Sequence, residues 1–269
     1  MRKIALLILV MSYATINAQS TSPYEWKWVR DGIWTGAAFG TSAYGLILIK
    51  NKDDITEADV NALDADDINF IDRWVAGNSS ESANNISDIP FGASFILPFG
   101  MLFDDEINDH SGQFIGMYLQ SLSTTSALYT MTAGLVNRTR PYVYDENESL
   151  SRRTSKNGQR AFYSGHVAAA ATATFFAAKV YCDFNPDASG KAYIWAAAAT
   201  IPAAVGYLRL QAGQHFLTDV LLGYGLGAAT GILIPEMHKT KNASLEVTPV
   251  GGKNFRGEDY TGLALKYSF

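Results

Sequence analysis

Tyr163-Ser164-Gly165-His166 stands directly before residues 167–178, VAAAATATFFAA. Alanine-rich runs are strong helix formers, so this stretch predicts a helix whose N-terminus falls at the Ser-Gly-His turn. Ser164 is an N-cap residue by type. A helix N-terminus presents free N–H groups and a partial positive charge, which makes it an anion site. Gly165 has no side chain and lets an oxyanion approach the backbone. His166 then stands beside that anion, placed to donate a proton to a leaving oxygen.

Two further stretches extend this chemistry on either side. Upstream lies Asn137-Arg138-Thr139-Arg140-Pro141, and downstream Arg209-Leu-Gln-Ala-Gly-Gln-His215-Phe-Leu-Thr-Asp219. Arginine offers a fork of donors matched to phosphate oxygens. His215 and Asp219 are four apart, so a helix starting near His215 would put them on one face. A carboxylate bonded to one imidazole nitrogen fixes the tautomer and frees the other nitrogen to attack. Arg138 and Arg140 would add positive charge where a phosphoryl group is held. Each stretch alone fits a plain role: a helix cap with a surface His, the end of a loop, a solvated i,i+4 pair. Their occurrence in order within about eighty residues, using two of only four histidines, points to one site. His110 and His238 fall outside the pattern and read as surface residues.

Together these stretches resemble the three-part signature of the type 2 phosphatidic acid phosphatase / vanadium haloperoxidase superfamily. That signature reads Lys-x6-Arg-Pro, Pro-Ser-Gly-His and Ser-Arg-x5-His-x3-Asp. It is met at Arg140-Pro141, at Ser164-Gly165-His166, and at Arg209, His215 and Asp219 with both spacings intact. Ala133 stands where the family has its Lys, Tyr163 where it has Pro, and Leu208 where it has Ser. The resemblance covers roughly residues 110–235. It implies that His215 is a nucleophile forming a phosphohistidine, that Asp219 orients it, and that His166 protonates the leaving group and then activates water. It implies that Arg140, Arg209, Ser164 and the Gly165 N–H hold the phosphoryl oxygens, with no metal and no cofactor. The family Lys contacts the phosphate, and Arg138, two residues before Arg140, is the candidate to replace it.

The implied activity is that of a phosphatase acting on a lipid phosphate or diphosphate: phosphatidate, phosphatidylglycerophosphate, a polyprenyl diphosphate or a lipid A phosphate. A soluble phosphomonoester is a further option. Vanadate mimics phosphate, so a vanadium-dependent haloperoxidase is the alternative enzyme, although the absent Lys and the modest length argue against it. A non-catalytic phospholipid-binding envelope protein is the third reading.

The remaining chain sets the frame. With 269 residues, 48% of them hydrophobic, it can build one large core or a membrane bundle, and its net charge of −5 argues against nucleic acid as a partner. Residues 1–18, with Arg2 and Lys3 before an apolar core, read as a secretory signal peptide of an exported bacterial protein, periplasmic or membrane-associated. The single cysteine, Cys182, forbids an internal disulfide. Residues 24–28 are aromatic and read as a surface or interface segment. Apolar runs at 32–49, 89–103, 111–137, 167–178, 192–208 and 220–235 predict an all-α bundle of about six helices. An extra helix is predicted over 60–74, burying Leu63, Ile68, Ile71 and Trp74. Only 32–49 and 111–137 approach the ~20 residues a membrane span needs, so the expectation is an exported bundle that rests on a membrane without fully crossing it. The domain plan is 19–110 for the N-terminal helices and acidic connection, 111–238 for the catalytic core, and 239–269 for a C-terminal β-hairpin. In that hairpin residues 243–250 and 260–269 pair through a turn at Gly251-Gly252.

Overall fold

A computed structural model of the chain describes residues 22–240, 244–253 and 259–268. The predicted leader, residues 1–18, lies outside them. Among the described residues six helices of 16 residues or more form the bundle: α1 (Trp28–Lys50), α2 (Glu81–Ile96), α3 (Ser111–Leu135), α4 (Gly165–Phe184), α5 (Lys191–Gln211) and α6 (Leu217–His238). The all-α architecture is the one expected. A 3₁₀ segment, Leu97–Phe103, prolongs α2.

The largest shift from the sequence reading is at α2. It begins eight residues before the apolar run, where the Ser80 side chain accepts the Ala83 N–H and caps it. Its first two turns are polar, so they carry no apolar signal. The helix predicted over 60–74 does not form. Short turns replace it, at Glu57–Asn61, Ala65–Asp67 and Arg73–Val75. Ile71 and Trp74 are exposed, whereas Val60, Asp72 and Val75 are buried. Four Asp residues between 59 and 67 favour caps and turns over helix interior, which explains the break.

Helix α4 is central, and α6 runs parallel to it at short range. A Cβ on Gly223, Gly227 or Gly231 would lie 2.5, 2.1 and 2.5 Å from the carbonyl oxygens of Ser164, Ala168 and Thr172 respectively. Three glycines at intervals of four form a stripe that lets the two backbones touch over two turns of helix. Thr172 Oγ1 donates to Gly227 O at 3.1 Å across the same seam. The apolar core is split along the bundle. Val75, Ala161, Val167, Val205 and Phe216 pack at the N-terminal end of α4, and Phe114, Met117, Phe176 and Val180 pack toward its C-terminal end.

The outer faces are not polar. Ile33, Phe39 and Leu46 on α1, Ile89 and Ile96 on α2, and Leu233 on α6 are all more than half exposed. By length and composition α1, α2 with its 3₁₀ extension, α4 and α6 can each cross a membrane. Of the two segments the apolar runs suggested, α1 is among these four and α3 is not. His238, read as a surface residue, is buried. It stacks on Trp26 with centroids 5.5 Å apart, and its Nε2 lies 3.3 Å from Asp31 Oδ2. Tyr24 is buried too, its hydroxyl donating to Asp183 at 2.7 Å.

Contacts divide the chain at Lys239. The second unit is an antiparallel hairpin of β1 (Ser244–Lys253) and β2 (Asp259–Ser268). Gly251 and Gly252 pair with Thr261 and Tyr260 inside the ladder, so they are strand residues and not the turn.

The glycine stripe predicts a sharp contrast. Gly227→Val should cost about 1–3 kcal/mol by overpacking the α4–α6 seam and lower the thermal midpoint in detergent. Gly225→Val, at an exposed position with nothing within 4 Å of its would-be Cβ, should leave the midpoint nearly unchanged.

Candidate active site

The three signature stretches meet at one end of the bundle. Ser164 is the N-cap of α4, Arg209 sits in the last turn of α5, and residues 212–216 connect α5 to α6. Gly213 makes that connection possible. Its φ is +64°, and a Cβ there would lie 1.6 Å from the Asn78 carbonyl oxygen. The Ser164 N–H donates to the Asp219 carbonyl at 3.1 Å, tying the start of α4 to the first turn of α6.

His215 is buried, and its Nδ1 lies 2.7 Å from the Ala161 carbonyl oxygen. A carbonyl only accepts, so Nδ1 carries the proton and Nε2 keeps its lone pair. Burial pushes the His215 pKa well below the usual value. Arg140 and Arg209 lower it further, and so to a lesser degree does His166, while the Ala161 bond opposes them. The ring is therefore neutral, with a free nucleophilic nitrogen inside a field of positive charge.

Asp219 does not orient this ring, contrary to the sequence expectation. Helix α6 starts at Leu217, so His215 precedes it and the i,i+4 face is lost. Asp219 Oδ2 instead accepts the Phe216 N–H at 2.8 Å, and Oδ1 pairs with Arg138 Nη1. Arg138 is committed as well. Its Nη2 pairs with Asp72 Oδ2 at 2.7 Å, and Nη1 also donates to Thr218 Oγ1 at 3.0 Å. Both ends of the guanidinium are thus held by carboxylates, which removes Arg138 from the phosphate-binding set.

Asp72 is the hub of this cluster, and sequence reasoning missed it. It accepts the Thr218 N–H at 2.9 Å, the Thr218 hydroxyl at 2.6 Å and the Asn69 amide at 2.8 Å. Burial alone would raise its pKa, but the bonds from Thr218, Asn69 and Arg138 together hold it below the usual carboxylate range.

Arg140, Arg209 and Ser164 behave differently. Arg140 is buried, with Nη1 on the Gln214 side-chain oxygen and Nη2 3.3 Å from the Arg160 carbonyl oxygen. Burial holds its pKa below the usual arginine value, with neighbouring Arg160 and Arg152 acting in the same direction. Arg209 Nη1 donates to Asn84 Oδ1 at 2.9 Å and to Ser87 Oγ at 3.2 Å. The Nε of each arginine, and Ser164 Oγ, are buried without a hydrogen-bond partner among the described residues. Ser164 occupies the N-cap position as expected, yet its hydroxyl does not cap the helix. Unsatisfied buried donors are costly. Arg140 and Arg209 both act on the neutral His215, so with Ser164 they form a cradle that an anion would complete.

Helix α2 supplies a face that the sequence reading did not assign. Asn84, Ser87, Asp88 and Phe91 recur at helical spacing. The first two hold Arg209. Asp88 Oδ1 lies 3.7 Å from His166 Nε2, and the Phe91 ring sits 4.2 Å from the His166 ring. Beyond His166 opens a groove of about 540 Å³ lined by Phe39, Phe91, Phe95, Leu119 and Leu122, with Arg160, Gly165 and His166 also in its wall. Gly165 is required by its neighbour Tyr129, whose ring carbons would lie as close as 2.7 Å to a Cβ.

Residues 114–243 match the PAP2 superfamily, and this segment holds all three signature stretches. That segment is accordingly a PAP2-superfamily region. Two solved structures are similar. LpxE of Aquifex aeolicus is 20% identical at a TM-score of 0.43, covering 61% of this chain and 92% of that one. A transmembrane PAP2-type phosphatidylglycerolphosphate phosphatase from Bacillus subtilis is 24% identical at a TM-score of 0.46, covering 74% and 94%. No curated protein matches the chain.

Two outcomes test this geometry. Asp72→Ala removes the acceptor from Thr218 and one carboxylate from Arg138. It should destabilise the fold by about 1–3 kcal/mol, read as a lower thermal midpoint. The unfolded chain protonates His215 near pH ~6.5, whereas the buried ring resists protonation. The stability His215 contributes is therefore full above that pH and is lost as pH falls below it. Thermal midpoints from pH 8 to 5 should show this decline, and His215→Gln should flatten it.

Proposed function

We propose that the protein hydrolyses a lipid phosphate or diphosphate at a membrane, without a metal, through a phosphohistidine on His215. The observation that carries the reading is the set of buried, unpartnered donors of Arg140, Arg209 and Ser164 beside a neutral His215 whose Nδ1 is already engaged. Phosphoryl transfer needs positioning and positive charge more than covalent help from other groups. Two guanidinium groups, the Ser164 hydroxyl and the first N–H groups of α4 meet that need.

In the first step His215 Nε2 attacks phosphorus. The P–N bond forms as the P–O bond to the leaving group breaks, and His166 gives that oxygen its proton. In the second step His166 takes a proton from water, and the resulting oxygen attacks phosphorus. The P–N bond then breaks, releasing phosphate and the free imidazole. Asp219 acts by holding the start of α6, not by touching His215.

The lipid assignment rests on the groove. His166 and Phe91 lie in its wall, so the leaving oxygen departs toward an apolar channel of about 540 Å³. The exposed apolar faces of α1, α2 and α6 fit a bundle embedded in lipid, with the substrate entering from the bilayer. The reading of residues 1–18 as a signal peptide supports export in a bacterium, to a periplasmic or membrane-associated location.

The test is phosphate release by the detergent-solubilised protein, with EDTA present. The panel would hold phosphatidate, phosphatidylglycerophosphate, a polyprenyl diphosphate, a lipid A phosphate and a soluble aryl phosphate. EDTA-resistant release from a lipid, lost by at least ~10³-fold in His215→Ala, is the expected result. Full activity in His215→Ala or His166→Ala would sink the assignment. Preference for the aryl phosphate would sink its lipid part.

A further inference from the structure

The family signature places a phosphate-binding lysine at the position of Ala133, and Arg138 cannot replace it. We propose that Arg160 binds the phosphoryl group in its stead, an inference that rests on the phosphatase reading above.

Four observations carry it. First, the backbone brings Arg160 beside the established stretch. Residues 138–140 and 158–161 run side by side, with Arg138 and Arg160 in a parallel bridge, the Arg140 N–H on the Gly158 carbonyl at 2.7 Å and the Ala161 N–H on the Arg138 carbonyl at 3.0 Å. Arg140 Nη2 in turn donates to the Arg160 carbonyl. Second, the Arg160 side chain reaches the helix that should have carried the lysine. Its Nη2 lies 3.4 Å from the hydroxyl of Tyr129, one turn before Ala133 on α3. Tyr129 itself packs on Gly165, at the start of α4. Third, Arg160 shares the wall of the groove with Gly165 and His166. Fourth, its guanidinium is under-used. Nη1 and Nη2 make long bonds of 3.4 Å, and Nε is buried with no partner among the described residues. This is the same signature seen at Arg140 and Arg209, and the opposite of Arg138 with its two carboxylates. A buried donor of a permanent cation, on a residue bonded through its backbone to Arg140 and sharing a groove wall with Gly165 and His166, fits a phosphoryl oxygen.

The test uses the full chain in detergent, with orthovanadate as an equilibrium probe and phosphate release as a second readout. Arg160→Gln and Arg160→Ala should weaken vanadate binding by about 10- to 100-fold, the value of one charge-assisted contact, and lower kcat/KM by a similar factor. Arg160→Lys should recover part of both. In wild-type protein, vanadate should protect Arg160 from phenylglyoxal, read by peptide mass spectrometry. This last measurement needs no variant to fold. Equal vanadate affinity in folded Arg160→Gln, or no protection of Arg160, overturns the inference and leaves the phosphatase reading standing. Vanadate binding that depends on Arg160 without phosphate release from any substrate would keep the inference and sink hydrolysis. A wild-type protein that binds no vanadate overturns the inference.

Discussion

Arg140 and Arg209 lie buried near one another, close enough that each depresses the basicity of His215. Like charges in a water-poor interior repel, and each has given up its hydration. The arrangement survives because neutral acceptors absorb part of the cost: Gln214 and a main-chain carbonyl for Arg140, Asn84 and Ser87 for Arg209. Among the described residues no carboxylate takes the remaining donors, so the site is preorganised for an anion that arrives from outside. Electrostatic preorganisation of this kind usually contributes more to such catalysis than any other single effect. It also explains the neutral His215, since a third cation in the same pocket would be harder still to hold.

The cradle depends on packing that brings helix ends together within ångströms. The contact of α4 with α6 through Gly223, Gly227 and Gly231 sets the level at which Ser164 meets Asp219. The acidic connection then locks that level from outside, because Asp72 binds Thr218 at the start of α6 and Arg138 beside the first signature stretch. A segment that looks like a polar linker by composition is in fact the clamp on the catalytic end.

The helical class and the three stretches that meet at one end of the bundle were legible in the sequence, because apolar runs and short motifs are local signals. What could not be read were the partners that only tertiary contact supplies. Arg138 and Arg140 are two apart and chemically identical, yet one meets Asp72 and Asp219 while the other meets amide and carbonyl oxygens. Asp219 lies four residues after His215, but the helix starts too late for that spacing to pair them. The polar face of α2 was hidden because Asn84, Ser87 and Asp88 dilute the apolar signal. Their periodicity with Phe91 was present in the sequence and marked a helix side turned toward a polar site. His238 and Tyr24 were misplaced for a related reason: a buried polar group is recognisable only once its partner is known.

The topology adds a last constraint. Helices α4 and α6 are parallel and present their N-termini to the site, while α5, which lies between them in the chain, presents its C-terminus and there carries Arg209. The polar first turns of α2 meet the same end of the bundle. The N-termini of α4 and α6 contribute partial positive charge, and the C-terminus of α5 has its negative end offset by an arginine in its last turn. The apolar lengths of the helices run away from it, and the groove beside His166 joins the two regimes. One end of the bundle can thus be charged enough to hold a phosphoryl group while its flanks remain compatible with lipid, a division imposed by the bundle and not by any single residue.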